Sequence, residues 1–421
     1  MESSTCDAWP GPARPTSLRR NFVWTFIGNA LNGFCQWGVL SLIAKLGTGE
    51  MLGEYAFASA VMLPLTMLSH LNLRAVLATD MEERHPFGDY LAVRLWATAA
   101  ILVAVVVAAL AFGGGYARGA CMLLVALSLS TDTISDIYYG ALQRSERMAE
   151  IAVSMIARGV LALVGFGAVL FFTRSLIPSV AMLVVARIAV FLSYDRPRGS
   201  QGQHLSRSGG RAQLQIFKTA LPLGVVLMLV SYTSNVPRYV VEHYLGTRGL
   251  GVFAAVAAFL MAGSTVVSAL GQSVTPRLAR YYSQRDTVQF RRLTLRLVAL
   301  ALALGAVGVA GAAVAGSFVL RIFYSAEYGA YGRVLTELMG AATFVYVAAA
   351  LGFVITSARS FLAQMPVLAL AVATSAAAGW LLVPVMGLSG AALAVAAGAS
   401  VQIAGELWIL RRALGRLGRA A

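Results

Sequence analysis

The sequence contains twelve apolar runs of about 20 residues, the length of an α-helix that crosses a hydrocarbon core of ~30 Å. These lengths favour helices over barrel strands, because each segment must satisfy its own backbone hydrogen bonds inside lipid. The predicted spans are residues 21–44, 51–71, 91–112, 116–140, 151–172, 175–194, 219–241, 250–274, 293–317, 333–356, 363–384 and 387–410. We therefore expect an all-α polytopic membrane protein.

Composition and charge agree with this expectation. Of the 421 residues, 58% are hydrophobic and 12% are charged, whereas soluble domains are about a quarter charged. Of the 33 Lys and Arg, 24 fall in segments on one side of the membrane and seven in the opposite loops. This excess predicts that both termini are cytoplasmic. The net charge of +15 then indicates topology and attraction to anionic membrane lipids, and it argues against nucleic acid as a partner.

The chain divides into two halves of six predicted helices. We expect a disordered basic cytoplasmic arm (residues 1–20), an N-terminal lobe (21–194), a cytoplasmic linker rich in Gly, Ser and Arg (195–218), a C-terminal lobe (219–410) and a basic cytoplasmic tail (411–421). No loop is long enough to hold a soluble catalytic domain. The sequence contains neither a GxxxxGK[ST] nor an HExxH motif, and it has no Cys/His cluster. We therefore expect no enzyme, no cofactor and no metal.

The two halves share a short repeat. "LGTGEMLGEYAFASAVM" (46–62) and "LGTRGLGVFAAVAAFLM" (245–261) each place Leu-Gly-Thr in an outside loop and Leu-Gly-x-aromatic-Ala at the start of the next helix. With one gap, two glycines of the first copy correspond to two of the second: Gly47 and Gly53 to Gly246 and Gly251. The repeat predicts two pseudo-symmetric lobes, an arrangement in which transporters bind substrate between the halves.

Each half opens with a helix that carries a polar stripe. The stripe of the seventh helix consists of Ser231, Asn235, Arg238 and Glu242, and that of the first consists of Thr25, Asn29, Asn32 and Gln36. Spacings of three and four residues place each stripe on one helix face. The two stripes are predicted to face each other across a central cavity.

Pro237 and the arginines within apolar runs are the next candidates for function. Pro237 cannot donate its N–H and is predicted to kink the seventh helix as a hinge. Arg238 would cost about 3 kcal/mol at the bilayer centre. Two interpretations of Arg238 stay open: it lines a wet cavity, or it extends to the outer interface with Glu242 as partner. Arg158 is either a cavity residue or a side chain that extends to the inner interface.

Several other polar residues within apolar runs are predicted to be structural. Ser128, Asp132 and Ser135 share a face of the fourth helix, beside Asp136, and Arg144 or Arg147 are the expected ion-pair partners. Interhelical hydrogen bonds or interface positions are expected for Gln272, Gln402 and Glu406.

Longer segments resemble a known family. They are "NFVWTFIGNALNGFCQWGVLSLIAKLGTGEMLGEYAFASAVMLPL" (21–65), "DIYYGALQRSERM" (136–148), "NVPRYVVEHYLGTRGLGVFAAVAAFLMAG" (235–263), "SVTPRLARYYSQRD" (273–286) and "LRIFYSAEYGAYG" (320–332). Together they are similar to bacterial polysaccharide exporters, the O-antigen or Wzx-type flippases. These belong to the multidrug/oligosaccharidyl-lipid/polysaccharide (MOP) exporter superfamily.

The resemblance implies a MATE-like fold and a location in the bacterial inner membrane. It implies export of undecaprenyl-pyrophosphate-linked oligosaccharide by alternating access, alongside a polysaccharide polymerase and glycosyltransferases. Relatives hold the anionic headgroup with basic residues in a central cavity, a role that passes by position to Arg238 and, less directly, to Arg158. The first helix departs from this pattern because its stripe contains amides and no basic residue. Those amides are available to hydrogen-bond sugar hydroxyls.

Three alternatives stay open. A multidrug or small-cation antiporter of the same fold would need an acidic, aromatic cavity, whereas these stripes are basic or neutral. A membrane glycan polymerase or ligase would place catalytic arginines or histidines in a large outside loop, which this chain lacks. A non-transporting scaffold for a glycan-assembly complex is compatible with the sequence.

Overall fold

The structure is a computed structural model that describes residues 18–79, 85–112, 115–203, 205–358 and 360–419. Most of the predicted N-terminal arm, residues 1–17, lies outside the described residues, as do the last two residues of the predicted tail. All regular structure in the described residues is helical.

The N-terminal half consists of α1 (Leu18–Leu46), α2 (Gly49–His70), α3 (Leu73–Thr79), α4 (Phe87–Phe112), α5 (Tyr116–Arg144), α6 (Met148–Thr173), α7 (Leu176–Val190), a π-helical turn (Phe191–Asp195) and α8 (Arg196–Gly199). The C-terminal half consists of α9 (Gly210–Ser283), α10 (Thr287–Phe323), a 3₁₀ turn (Ala326–Tyr331), α11 (Gly332–Ser357), a 3₁₀ turn (Phe361–Ala363), α12 (Gln364–Met386) and α13 (Leu388–Arg419).

Ten helices in the described part of the chain are long and apolar enough to cross a membrane. One of them, α9, breaks at Gly246 (φ 69°, ψ −177°), which divides it into a first arm (residues 210–245) and a second arm (247–283). Positive φ is available to glycine without steric cost, and Gly246 belongs to the repeated Leu-Gly-Thr. With α1, whose 29 residues include the amide stripe, every predicted span coincides with a helix or an arm. The prediction of an all-α polytopic membrane protein is confirmed.

Part of the segment predicted as a linker is helical. Residues 196–199 form α8 and residues 210–218 begin α9, so that within the described residues only 200–203 and 205–209 lie outside helices. Local charge and glycine content suggested a longer connection. The first turns of α9 are instead ordered by burial, because Ile216 and Ala220 pack against Leu71, Leu73 and Phe87.

The repeated glycines lie where the two halves meet, at the ends that the Lys and Arg distribution predicts to be the outer ones. A Cβ at Gly53 would collide with the carbonyl oxygen of Thr247, and a Cβ at Gly251 would collide with the carbonyl oxygen of Gly49. Only glycine permits such an approach between helix backbones. The two copies of the repeat therefore pack against each other, and we call this contact the outer seam.

The two sides of the interface between the halves differ. On one side, α2 packs along the first arm of α9: the Tyr239 hydroxyl donates to the Ala60 carbonyl (2.5 Å), and nearer the inner end Gly224 lies against Leu68. On the other side, α1 meets α10 and the second arm of α9 near the outer ends, where Trp37 packs on Phe259 and donates to the Tyr324 hydroxyl (3.1 Å).

The inner half of α1 lacks this cover. Its large apolar side chains are exposed: Val23, Phe26, Ile27, Leu31 and Phe34. On the second arm of α9, Met261 and Val266 are exposed as well. The halves are thus closed at the outer end and open between α1 and the second arm toward the inner end.

Candidate functional site

A cavity of about 490 Å³ lies beside this opening, bounded by the inner half of α1, both arms of α9, and helices α11 to α13. Its wall is mainly apolar, with Phe253, Leu260 and Met261 among the contributors. The polar lining residues are Thr25, Asn29, Thr233, Ser234, Asn235, Arg238, Ser264, Thr265, Ser268, Gln272, Ser273, Ser375 and Gln402. The lining set contains no aspartate or glutamate. The cavity is therefore electropositive, and Arg238 supplies its positive charge.

Arg238 has no acidic partner among the described residues. Its Nη1 donates to Oδ1 of Asn235 (3.2 Å), its Nη2 lies 3.9 Å from the Met261 sulfur, and its Nε is buried without a hydrogen bond. A guanidinium in this setting keeps its full charge and has unused donors. The arrangement favours the cavity interpretation of Arg238 over the interface interpretation.

The polar stripe of α9 forms a hydrogen-bonded chain that orients this guanidinium. Asn235, which is 3% exposed, donates through Nδ2 to the Ser231 carbonyl (2.8 Å) and hydroxyl (3.3 Å). Its amide oxygen is then free to accept from Arg238. Three of the four stripe residues are thus brought together, although Ser231 does not itself line the cavity.

Glu242 lies a turn farther out and has a different role. It forms an ion pair with Arg118 of α5 (3.1 Å), and Arg118 also donates a hydrogen bond to the Thr247 hydroxyl (3.0 Å). Glu242 is therefore part of the outer seam and does not line the cavity. The predicted pair between Glu242 and Arg238 is wrong, because Arg118 of the other half occupies the carboxylate.

Only the inner end of the polar stripe of α1 lines the cavity. Thr25 and Asn29 line the cavity, with the Asn29 amide donating to the Thr25 carbonyl (2.8 Å). Asn32 and Gln36 do not line it; Asn32 lies on the side of Gly159 in α6. The predicted facing of the two stripes is thus realised in part.

Pro237 is buried inside the first arm of α9, but the backbone break lies at Gly246. The proposed hinge at Pro237 therefore stays a prediction.

Arg158 lies away from the cavity, in a buried ionic cluster of the N-terminal half. It is 7% exposed and contacts Asp132 (2.6 Å), Asp195 (3.0 Å) and the Tyr139 hydroxyl. Asp132 also contacts Arg187 (2.6 Å). Arg158 is therefore neither a lining residue of the cavity nor a side chain that extends to the inner interface, because carboxylates inside the N-terminal half hold its guanidinium.

Asp136 belongs to a second such cluster and contacts Arg94 (3.3 Å), Arg74 (3.4 Å) and His70 (3.5 Å). The expected partners of the acidic face, Arg144 and Arg147, are wrong. Both lie at or beyond the end of α5, two helical turns or more from Asp136, and Arg147 pairs instead with Glu150 (2.6 Å).

Known proteins share this sequence pattern and this architecture. A family described as "Polysaccharide biosynthesis protein" matches residues 18–282. The chain belongs to this family. Its sequence is 25% identical over 379 residues to the capsular polysaccharide biosynthesis protein CapF of Staphylococcus aureus, an alignment that covers 89% of this chain and 95% of CapF. The expected family is confirmed.

Two solved structures share the fold of this polysaccharide biosynthesis protein. The inward-facing conformation of a multidrug resistance MATE family transporter of the MOP superfamily has a TM-score of 0.76 at 14% identity, covering 94% of this chain and 96% of that one. The lipid II flippase MurJ, in an inward closed conformation, has a TM-score of 0.75 at 12% identity, covering 95% and 90%. The predicted MATE-like fold is confirmed.

Sequence reasoning missed part of the cavity of this polysaccharide biosynthesis protein. Ser264, Ser268 and Gln272 recur at intervals of four along the second arm of α9 and line the cavity. Polar residues at that spacing in an apolar run are a readable signal of one helix face. Gln272 and Gln402 were expected to bond between helices or to lie at an interface, and both line the cavity.

Proposed function

We propose that this protein is a flippase that moves an undecaprenyl-pyrophosphate-linked oligosaccharide across the bacterial inner membrane by alternating access. The observation that carries the proposal is Arg238, a cation in a cavity of about 490 Å³ with no acidic lining residue. The family and the resemblance to CapF support a role in polysaccharide biosynthesis. A carrier lipid with a charged headgroup is the cargo whose chemistry suits this cavity.

Pyrophosphate cannot cross hydrocarbon without a compensating charge. A guanidinium binds phosphate oxygens through two parallel N–H donors, and such charge-assisted bonds are about twice as strong as neutral ones. Arg238 has these donors available, and Asn235 fixes the plane of the guanidinium through the bond to Nη1 (3.2 Å). The residue thus matches the headgroup in both charge and geometry.

The rest of the lining suits the remainder of such a lipid. Hydroxyls and amides of Asn29, Ser264, Ser268 and Gln272 can hydrogen-bond sugar hydroxyls with little selectivity among sugars. The opening between α1 and the second arm of α9 lets a prenyl chain stay in the bilayer while its headgroup is inside. Rocking of the two lobes would then expose the cavity to each face in turn.

The cavity argues against the antiporter alternative. A site for a cationic drug needs a carboxylate to offset the charge, and the described lining residues include none. Under the flippase proposal, the expected protein partners are the glycosyltransferases that build the oligosaccharide and the polymerase that consumes it.

The deciding experiment compares Arg238→Gln and Arg238→Lys with the wild type in a strain that lacks the gene. Arg333→Gln is the control, since Arg333 is an exposed arginine paired with Glu337 (3.0 Å). We expect the glutamine variant to lose at least about tenfold in glycan export, with lipid-linked glycan accumulating on the inner leaflet. The lysine variant should keep part of the activity. Full export by Arg238→Gln at normal expression would refute the proposal.

A further inference from the structure

Glu406 is an acidic residue buried in α13 beside the cavity. Its side chain is 0% exposed, and Oε1 accepts a hydrogen bond from Nε2 of Gln402 (3.0 Å), one turn away. Its Oε2 is buried and has no partner among the described residues. Gln402 itself lines the cavity. One amide therefore separates an uncompensated carboxyl group from the proposed substrate site.

The packing around Glu406 is close, and no cation among the described residues contacts it. Gly352 of α11 faces it, such that a Cβ there would lie 3.7 Å from Oε1. The Gly352 carbonyl is in turn occupied by the buried amide of Gln364, at 3.3 Å. Helix α12 contains no charged residue and no histidine.

The charged groups on the neighbouring elements point elsewhere. Arg333 and Glu337 lie at the far end of α11 and pair with each other. Arg277 and Arg280, in the last turns of the second arm of α9, are exposed, as are Arg411 and Arg412 beyond Glu406 on α13. In the described chain, none of these arginines forms an ion pair with Glu406, and Arg412 lies over the Trp408 ring (3.6 Å).

An ionised carboxylate in this position is unfavourable. Removing a carboxylate from water without a cationic partner carries a large desolvation penalty, which the protonated acid avoids. Three aspartates of the N-terminal half show the contrast, because Asp132, Asp136 and Asp195 each contact at least one arginine. The fully buried Asp89 contacts no arginine among the described residues but accepts hydrogen bonds from the Ser208 N–H and the Gln213 amide, so both of its oxygens have donors. We propose that Glu406 is a proton-binding site coupled through Gln402 to the occupancy of the cavity.

The sign of the coupling follows from charge. A negative charge on Glu406 opposes an anion in the cavity, so that the protonated form binds the anion more tightly and anion binding favours proton uptake. The proton is taken up when the anion binds and is released when the anion leaves. Given the proposed function, which supplies the anion, occupancy of the cavity and protonation of Glu406 are then linked.

The first arm of the test needs no substrate. Infrared spectra of the purified protein at neutral pH are compared with those of Glu406→Gln, which keeps the size of the side chain and its hydrogen-bonding capacity. We expect the wild type to show a protonated-carboxyl C=O band that Glu406→Gln lacks and that Glu337→Gln retains. The absence of such a band from the wild type would overturn the proposal.

The second arm measures binding of undecaprenyl pyrophosphate across a pH series, with a pH-indicator dye reporting proton uptake. Above neutral pH, wild-type affinity should fall up to about tenfold per pH unit relative to Glu406→Gln, and binding should take up one more proton. Comparison with Glu406→Gln removes the titration of pyrophosphate itself. Identical profiles for the two proteins would overturn the proposal.

The control for the proposed function is separate. Arg238→Gln should lose binding at every pH. If it binds normally, the cavity is not the headgroup site, and the infrared result for Glu406 still stands or fails independently. Thermal unfolding of each variant checks that the fold is intact.

Discussion

In the N-terminal half, Arg94, Arg158 and Arg187 lie inside helices that cross the membrane, and each contacts an aspartate at 2.6 to 3.3 Å. In the C-terminal half, Arg238 contacts an amide and a thioether and faces a cavity. A paired arginine holds helices together, and its charge is already neutralised. An arginine without a carboxylate keeps its charge for a ligand. The contrast therefore predicts that the three N-terminal arginines are structural and that Arg238 binds a ligand.

The acidic residues produce this difference. Helix α5 carries both Asp132 and Asp136, which face the arginines of α4, α6 and α7. The lining of the cavity carries no aspartate or glutamate, and among the described residues the buried Glu406 next to it contacts Gln402 and no arginine. A pyrophosphate that entered the N-terminal clusters would have to break an ion pair first, at a cost of several kcal/mol.

The largest effect is expected from Asp136→Asn. This change leaves Arg94, which is 0% exposed, without its carboxylate, and breaking one side of a buried pair costs about 3–5 kcal/mol. The unfolding midpoint of the purified protein should fall sharply. The double variant Arg94→Met/Asp136→Asn should recover part of the loss, because the fully buried guanidinium is removed, while Arg74, which also loses Asp136, is 30% exposed and keeps its bond to Gln143 (2.9 Å). An unchanged midpoint in the single variant would show that the cluster is not structural.

A carboxylate placed beside Arg238 should neutralise its charge, as the aspartates neutralise the arginines of the N-terminal half. Met261 lies 3.9 Å from Nη2, so Met261→Glu places an acid within reach. Loss of a charge-assisted contact of about 1.5–3 kcal/mol predicts roughly 10- to 100-fold weaker binding of undecaprenyl pyrophosphate, with the unfolding midpoint kept or raised. Met261→Gln is the matched control and should bind nearly as the wild type does. Equal binding by all three would remove Arg238 as the anion ligand.

The fold was predictable from the sequence because its determinants are local. Apolar length depends on neighbouring residues, and the twelve predicted spans agree with the helices. The orientation predicted from the Lys and Arg distribution stays a prediction. The role of each arginine was not predictable in this way. Arg158 and Arg238 both occur as single cations in apolar runs, and the carboxylates that neutralise Arg158 are 26 and 37 residues away in sequence. Only the packing of α5, α6 and the π-helical turn after α7 brings them together.

At the outer seam the two halves are joined by close backbone packing at glycines, and this packing can be tested separately from charge. In Gly53→Ala the new methyl group meets the Thr247 carbonyl, and overpacking of this kind costs about 1–3 kcal/mol. The cost falls on the conformation with a closed outer end, so the lobes should separate there. Spin labels at the exposed Lys45 and Glu327, in a background without native cysteines, should report longer distances. Gly33→Ala is the control, since nothing lies within 4 Å of its new Cβ.

The smallest effect is expected from Glu242→Gln, which removes the ion pair with Arg118 across the same seam. Both side chains are partly exposed (20% and 29%), and such pairs contribute about 1 kcal/mol or less. Arg118 also keeps its bond to the Thr247 hydroxyl (3.0 Å). The same spin labels should therefore show a slight shift, much smaller than that of Gly53→Ala. If Glu242→Gln lengthens the spin-label distance more than Gly53→Ala does, charge rather than glycine packing holds the two halves together at the outer seam.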